Sequence, residues 1–180
     1  PPPNGRTSGP AACAGPPGGT PTPTAGAAAP DSSKKIRIGV VGGGFGRQFY
    51  WHEHPNCTVA AVTDLHPDRR QTLQEVYRCD VAYPSYEEML ANHRALDAVA
   101  VFSGAPDHYS HVEMAMRRGL HVISAVPAVT SLEDAERLRA LVEETGLRYM
   151  MAETSYYRQP NIYARNLFEQ GAFGELYYSE

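Results

Sequence analysis

The chain has 180 residues and a formal net charge of −4, and 9 of its 15 prolines with 6 of its 16 glycines lie in the first 35 positions, which leaves enough sequence for one core of ordinary size but not for two full domains. With Arg6, Asp31, Lys34 and Lys35 set aside the remainder is still more acidic, so a phosphate-backbone partner is excluded, and no apolar run reaches the roughly 18 residues of a membrane span. Three cysteines, Cys13, Cys57 and Cys79, are odd in number and lack zinc-type spacing, which excludes a disulfide framework and a zinc site and points to the reducing cytoplasm.

Residues 1–35 are rich in Pro, Gly, Ser, Thr and Ala and contain no aromatic residue, a composition that cannot bury enough apolar surface to fold and reads as a disordered tail. Its Ala11-Ala12-Cys13 lacks the apolar stretch that precedes a lipidated cysteine, so it reads as linker. Pro1 in place of a starting methionine points to a fragment or a processed product.

From Ile36 short apolar runs alternate with helical patterns, the signature of a doubly wound, mostly parallel α/β sheet. The predicted strands are Ile36 to Val41, Thr58 to Thr63, a weak one near Val81, Ala98 to Phe102, His121 to Val126 and Arg148 to Ala152. Pro67 suits the first turn of a helix running to Tyr77, and Ser85 with Glu88 forms a capping box. Ser131 caps a helix whose Leu132, Ala135, Leu138 and Leu141 share one face and which ends at Gly146; Gly119 and Gly171 end two more. Glu175 to Ser179 reads as a further strand without a partner, the start of a second α+β domain. The boundaries are therefore 1–35 for the tail, 36–155 for the sheet domain and 156–180 for the start of the second.

Between the first two strands lies Gly42-Gly43-Gly44-Phe45-Gly46-Arg47, read as opening a helix through Gln48, Phe49 and Tyr50. Gly42 and Gly44 allow a tight turn and close approach to a pyrophosphate at the helix N-terminus. Asp64 follows Gly44 by 20 residues, the spacing of a carboxylate that accepts from ribose hydroxyls, which favours NAD over NADP. Arg47 fills the place usually held by a third glycine, so close packing on the sheet must come from a shifted register using Gly46. Trp51 to His54 falls near the end of this helix and reads as a solvated terminus.

This ordered set of residues is similar to the N-terminal Rossmann domain of the Gfo/Idh/MocA family, the glucose-fructose oxidoreductases and inositol dehydrogenases. Ile38 to Gly44, Ala61 to Asp64, Tyr86 to Leu90, Leu96 to Val101, Ala105 to His108 with His111, Gly119 to Val122 and Gly171 to Leu176 carry the resemblance over about four-fifths of the chain. It implies an oxidoreductase using a nicotinamide dinucleotide on a sugar, cyclitol or related polyol, with a second sheet domain through which such proteins pair as homo-oligomers. The implied cofactor set is Gly42, Gly44, Phe45, Gly46, Asp64, Ser103, Pro106 and Pro127.

The family's Glu-Lys-Pro, whose lysine contacts cofactor and substrate, corresponds here to Ala125-Val126-Pro127. Valine cannot take up a proton, and the only lysines are Lys34 and Lys35, ahead of the first strand. His108 and His111, three apart on one helix face, are the candidate replacements, together with Tyr157; the alternative is a capping pair. Two imidazoles do not make a metal site, and none is expected. Glu153 and Arg158 are the candidate substrate-binding residues, in a segment that packs a carboxylate, two phenols and a guanidinium into six positions; packing and a Glu153–Arg158 ion pair are the alternative. The departure at Val126 leaves a second function open, a nucleotide- or sugar-binding module without redox chemistry. A third keeps a tightly held cofactor for elimination, hydrolysis or epimerisation.

Overall fold

The computed structural model describes residues 33–178, so the reading of the tail over residues 1–32, Cys13 included, lies outside the described residues. Six strands form one sheet in which every neighbouring pair is parallel: β1 (Ile36–Val41), β2 (Cys57–Thr63), β3 (Ala82–Tyr83), β4 (Ala98–Val101), β5 (His121–Ser124) and β6 (Tyr149–Met151). Their order is β3-β2-β1-β4-β5-β6. The chain begins in the middle, works out to one edge, then returns past β1 and works out to the other. Loops leaving β1 and β4 therefore turn to opposite faces, and a crevice opens between them at the C-terminal ends of the strands.

The central strands are buried on both faces, which explains their unbroken apolar sequences: Val40, Val99, Ala100 and Val101 have no exposed surface. On one face α2 (Tyr86–Asn92), α3 (His108–Met116) and α4 (Leu132–Thr145) pack through Met89, Val112, Met116 and Leu141. On the other, Leu73 and Tyr77 of α1 (Pro67–Tyr77) cover Val40 and Val62. The caps are those the sequence implies. Ser85 accepts from the Glu88 N–H at 3.2 Å, and Ser131 accepts from the Asp134 N–H at 3.0 Å. Gly146 closes α4 with a φ of +65°.

The crossover from β1 to β2 departs from expectation. No α-helix follows the glycine turn; residues 42–56 form two short 3₁₀ turns, Gly46–Gln48 and Trp51–Glu53. The cause is a slab of aromatic rings. Phe49 stacks between Phe102, with centroids 4.6 Å apart, and Trp51, at 5.1 Å, while Phe45 meets Phe49 and Phe102 edge-on. These rings cover the sheet where an amphipathic helix was expected, and their burial outweighs a helical tendency that is weak over so short a segment. Trp51 to His54 is accordingly no helix end: the His52 ring packs edge-on against Tyr77 at 5.4 Å, while Glu53 and His54 are exposed as expected.

The other departure is at the C-terminal end. α5 (Gln159–Glu169) buries no residue, and residues 175–178 form no strand; Ser179 lies outside the described residues. A strand without a neighbour leaves its backbone groups unpaired, and residues 175–178 pair with neither outer strand of the sheet, β3 or β6. Among the described residues no helix is long and apolar enough to cross a membrane.

Candidate functional site

The glycine turn is shaped by three different constraints. Gly42 has a φ of +94°, and a Cβ there would collide with the Phe102 carbonyl. A Cβ on Gly43 would lie 2.7 Å from the carbonyl oxygen of Arg69, so the turn is wedged against the first turn of α1. Gly44 is the opposite case: the nearest atom to its Cβ position is a guanidinium nitrogen of Arg69 at 3.9 Å, and the space above it is free for something other than protein. Gly46 packs directly on the sheet, its Cβ position 3.0 Å from the Phe102 ring and 3.1 Å from Val40, as the shifted register requires.

Asp64 directly follows β2 and is buried beside this turn. One carboxylate oxygen accepts from the Gly43 N–H and the other from the His66 N–H, each at 2.7 Å, and Arg70 donates to the Asp64 carbonyl at 2.7 Å. The acid thus holds the glycine turn in shape while each oxygen retains a lone pair for a further donor.

A cleft of about 540 Å³ opens above these groups, within the range of small-ligand sites. It brings together Gly42, Gly44, Asp64, Ser103 and His111, which the sequence had singled out from three separate stretches. His111 Nδ1 lies 2.9 Å from the Ser103 hydroxyl, its ring is edge-on to Tyr86 at 4.9 Å, and the Tyr86 hydroxyl donates to its carbonyl at 2.9 Å. Burial pushes the His111 imidazole below its ordinary value of 6.5, while Asp107 and Glu87 pull in the opposite direction. Burial also raises the Tyr86 phenol well above its usual range, so it serves as a neutral donor.

The remaining expectations fall elsewhere. Phe45 belongs to the aromatic slab and Gly46 lies beneath the turn; both support the cleft without lining it. Pro106 is exposed at the start of a 3₁₀ turn outside the lining. His108 does not fit a proton-transfer role, being only 1% exposed. Its Nδ1 lies 2.6 Å from the Pro127 carbonyl and its Nε2 3.0 Å from the Ser103 carbonyl, so the ring ties the loop after β4 to the loop after β5. Pro127 contributes that carbonyl.

Glu153, Tyr157 and Arg158 do not join the cleft either. The Glu153 carboxylate accepts from the Ser155 N–H at 2.8 Å and caps the turn after β6, with no ion pair to Arg158. Tyr157 is exposed and meets Tyr156 edge-on, and Tyr156 carries the Arg165 guanidinium 4.1 Å above its ring. Val126 is 42% exposed after the buried Ala125. Sequence reasoning missed Thr63, His66, Arg69, Tyr86, Glu87 and Asp107 as lining residues. Tyr86 and Glu87 sit inside the capping motif that follows β3 and in a stretch that carries the family resemblance, and neither signal marked them as lining residues.

Among the described residues no group of three or more His, Cys, Asp or Glu side chains could hold a metal ion. Burial raises the Cys57 and Cys79 thiols, which leaves both as packing residues.

Residues 36–153 match the family described as an oxidoreductase family with an NAD-binding Rossmann fold, Gfo/Idh/MocA. The chain belongs to the Gfo/Idh/MocA family. A relative in Bacteroides thetaiotaomicron, glycosyl hydrolase family 109 protein 1, is 27% identical over 157 residues, covering 81% of this chain and 33% of that protein. The dTDP-3,4-didehydro-2,6-dideoxy-alpha-D-glucose 3-reductase of Streptomyces antibioticus is 31% identical over 123 residues, covering 68% of this chain and 37% of that protein. The apo scyllo-inositol dehydrogenase of Lactobacillus casei shares the fold with a TM-score of 0.69 at 23% identity, over 79% of this chain and 44% of that one. The chain thus spans about a third of the length of the curated relatives it matches.

Proposed function

We propose that the cleft holds a nicotinamide dinucleotide, NAD in preference to NADP. In this reading the chain is the cofactor-binding part of a Gfo/Idh/MocA oxidoreductase acting on a sugar, cyclitol or related polyol. The observation that carries it is convergence: Gly42, Gly44, Asp64, Ser103 and His111 line one cleft at the crevice side of the sheet. Two details fit a bound group there. The space over Gly44 is open, and the Thr63 hydroxyl, buried in the lining, has no hydrogen-bond partner among the described residues.

A bound nicotinamide supplies the hydride acceptor. The chain's own residues position and handle the proton. Asp64 retains lone pairs for ribose hydroxyls. Where His111 donates its Nδ1–H to the Ser103 hydroxyl, Nε2 keeps the lone pair that takes up the substrate proton, and burial favours the neutral ring this needs. Residues 36–155 are the Rossmann domain, residues 156–180 begin the substrate domain with Glu153, Tyr157 and Arg158 at its approach, and the longer protein is a homo-oligomer. The free Cys57 and Cys79 accord with a cytoplasmic protein.

Calorimetric titration of the 180-residue chain with NAD and with NADP tests this reading. Tighter binding of NAD, lost in Gly44→Val, is the expected result; binding of neither dinucleotide overturns it. One feature favours the second reading, a binding module without redox chemistry: Val126, which the resemblance sets against the family's lysine, does not line the cleft. NADH formed from any polyol by the longer protein rejects that alternative.

A further inference from the structure

In a Rossmann site the pyrophosphate gains much of its stabilisation from the N-terminus of the helix that follows the glycine turn, where unpaired N–H groups and the macrodipole concentrate positive charge. This chain lacks that helix, because residues 42–56 hold only two 3₁₀ turns under the aromatic slab. The carboxylates that line the cleft, Asp64, Glu87 and Asp107, make the deficit larger for an anionic ligand. A compensating cation is required, and the cleft contains one permanent positive charge among its described lining residues, Arg69.

We infer that Arg69 binds the pyrophosphate of the dinucleotide and takes over the role of the absent helix terminus. Its backbone is fixed beside the turn, since its carbonyl oxygen lies 2.7 Å from the Cβ position of Gly43. Its guanidinium reaches over Gly44, 3.9 Å from that Cβ position, on the open side of the turn. Among the described residues this guanidinium has no hydrogen-bond or ion-pair partner, whereas the neighbouring Arg70 is committed to the Asp64 carbonyl at 2.7 Å. A planar fork with five donors suits two phosphate oxygens, and the approach over Gly44 places it at the turn rather than at the outer ribose.

The inference rests on the dinucleotide reading above, and the test separates the two. The 180-residue chain and its Arg69→Met and Arg69→Lys variants are titrated calorimetrically with NAD and with NADP at several salt concentrations. Failure of the unmodified chain to bind either dinucleotide overturns both readings. If it binds, Arg69→Met is expected to weaken NAD and NADP alike by roughly tenfold or more, to flatten the salt dependence of NAD binding and to leave the melting midpoint unchanged, with Arg69→Lys recovering part of the affinity. NAD affinity within about twofold of the unmodified chain, an unaltered salt slope, or a loss confined to NADP overturns it; the last outcome moves the contact to a 2′-phosphate.

Discussion

His111 and Ser103 meet 2.9 Å apart, imidazole nitrogen to hydroxyl, in the cleft that Gly42, Gly44 and Asp64 also line. The ring is half-buried, and its burial disfavours the charged form. Near pH 6.5 the unfolded chain therefore binds more protons at this residue than the folded chain does. The stability it contributes is fully present above the unfolded value of 6.5 and is lost as pH falls through the lowered folded value. Denaturant midpoints measured from about pH 5 to pH 8 are expected to rise with pH, and the rise is expected to be shallower in His111→Gln.

His108 sits one helical turn earlier and is expected to behave differently. Both its ring nitrogens face carbonyl oxygens, and it has almost no exposed surface. His108→Phe removes the ring N–H from the Pro127 and Ser103 carbonyls, of which a neutral imidazole donates to one, and is expected to destabilise by roughly 2–4 kcal/mol, read by urea denaturation.

The two glycines of the turn separate folding from binding. Gly42→Ala forces a side chain into positive φ and against the Phe102 carbonyl, with an expected cost of about 3 kcal/mol or more. Gly44→Ala meets nothing closer than the Arg69 guanidinium at 3.9 Å, so its melting midpoint is expected to stay within about 2 °C while NAD affinity falls.

Phe49 is the central ring of the slab, between Phe102 and Trp51. Phe49→Ala removes both stacked faces and is expected to destabilise by about 3 kcal/mol, with the loss visible in thermal unfolding. It is also expected to weaken dinucleotide binding, because Phe102 directly precedes Ser103 of the cleft.

The sheet was legible because each strand is a short apolar run bounded by polar or glycine punctuation, as in Ile36–Val41 and Ala98–Val101. Ser85, Ser131 and Gly146 marked helix ends through local chemistry that needs no tertiary context. The crossover was not legible, since Phe49 and Trp51 fit a helical pattern equally well and their stacking on Phe102 is a long-range fact. Within the site, Gly42, Gly44 and Asp64 could be read from spacing, His111 from its place on the helix after the fourth strand, and Ser103 only through the family resemblance. Thr63 and Glu87 could not, because their roles depend on which chain ends the sheet brings side by side. His108 misled for a related reason: a histidine beside a ligand crevice and one buried under it look alike in sequence.

Trp51 is the chain's only tryptophan. Its indole lies nearly parallel to Phe49 at an angle of 9°, and Phe49 in turn rests on Phe102. The chain therefore carries a single indole fluorophore, joined through the Phe49 ring to Phe102 in the lining of the cleft. Its emission reports the packing of the glycine turn without any added label, and a reduced nicotinamide held in that cleft lies within range to accept its excitation energy.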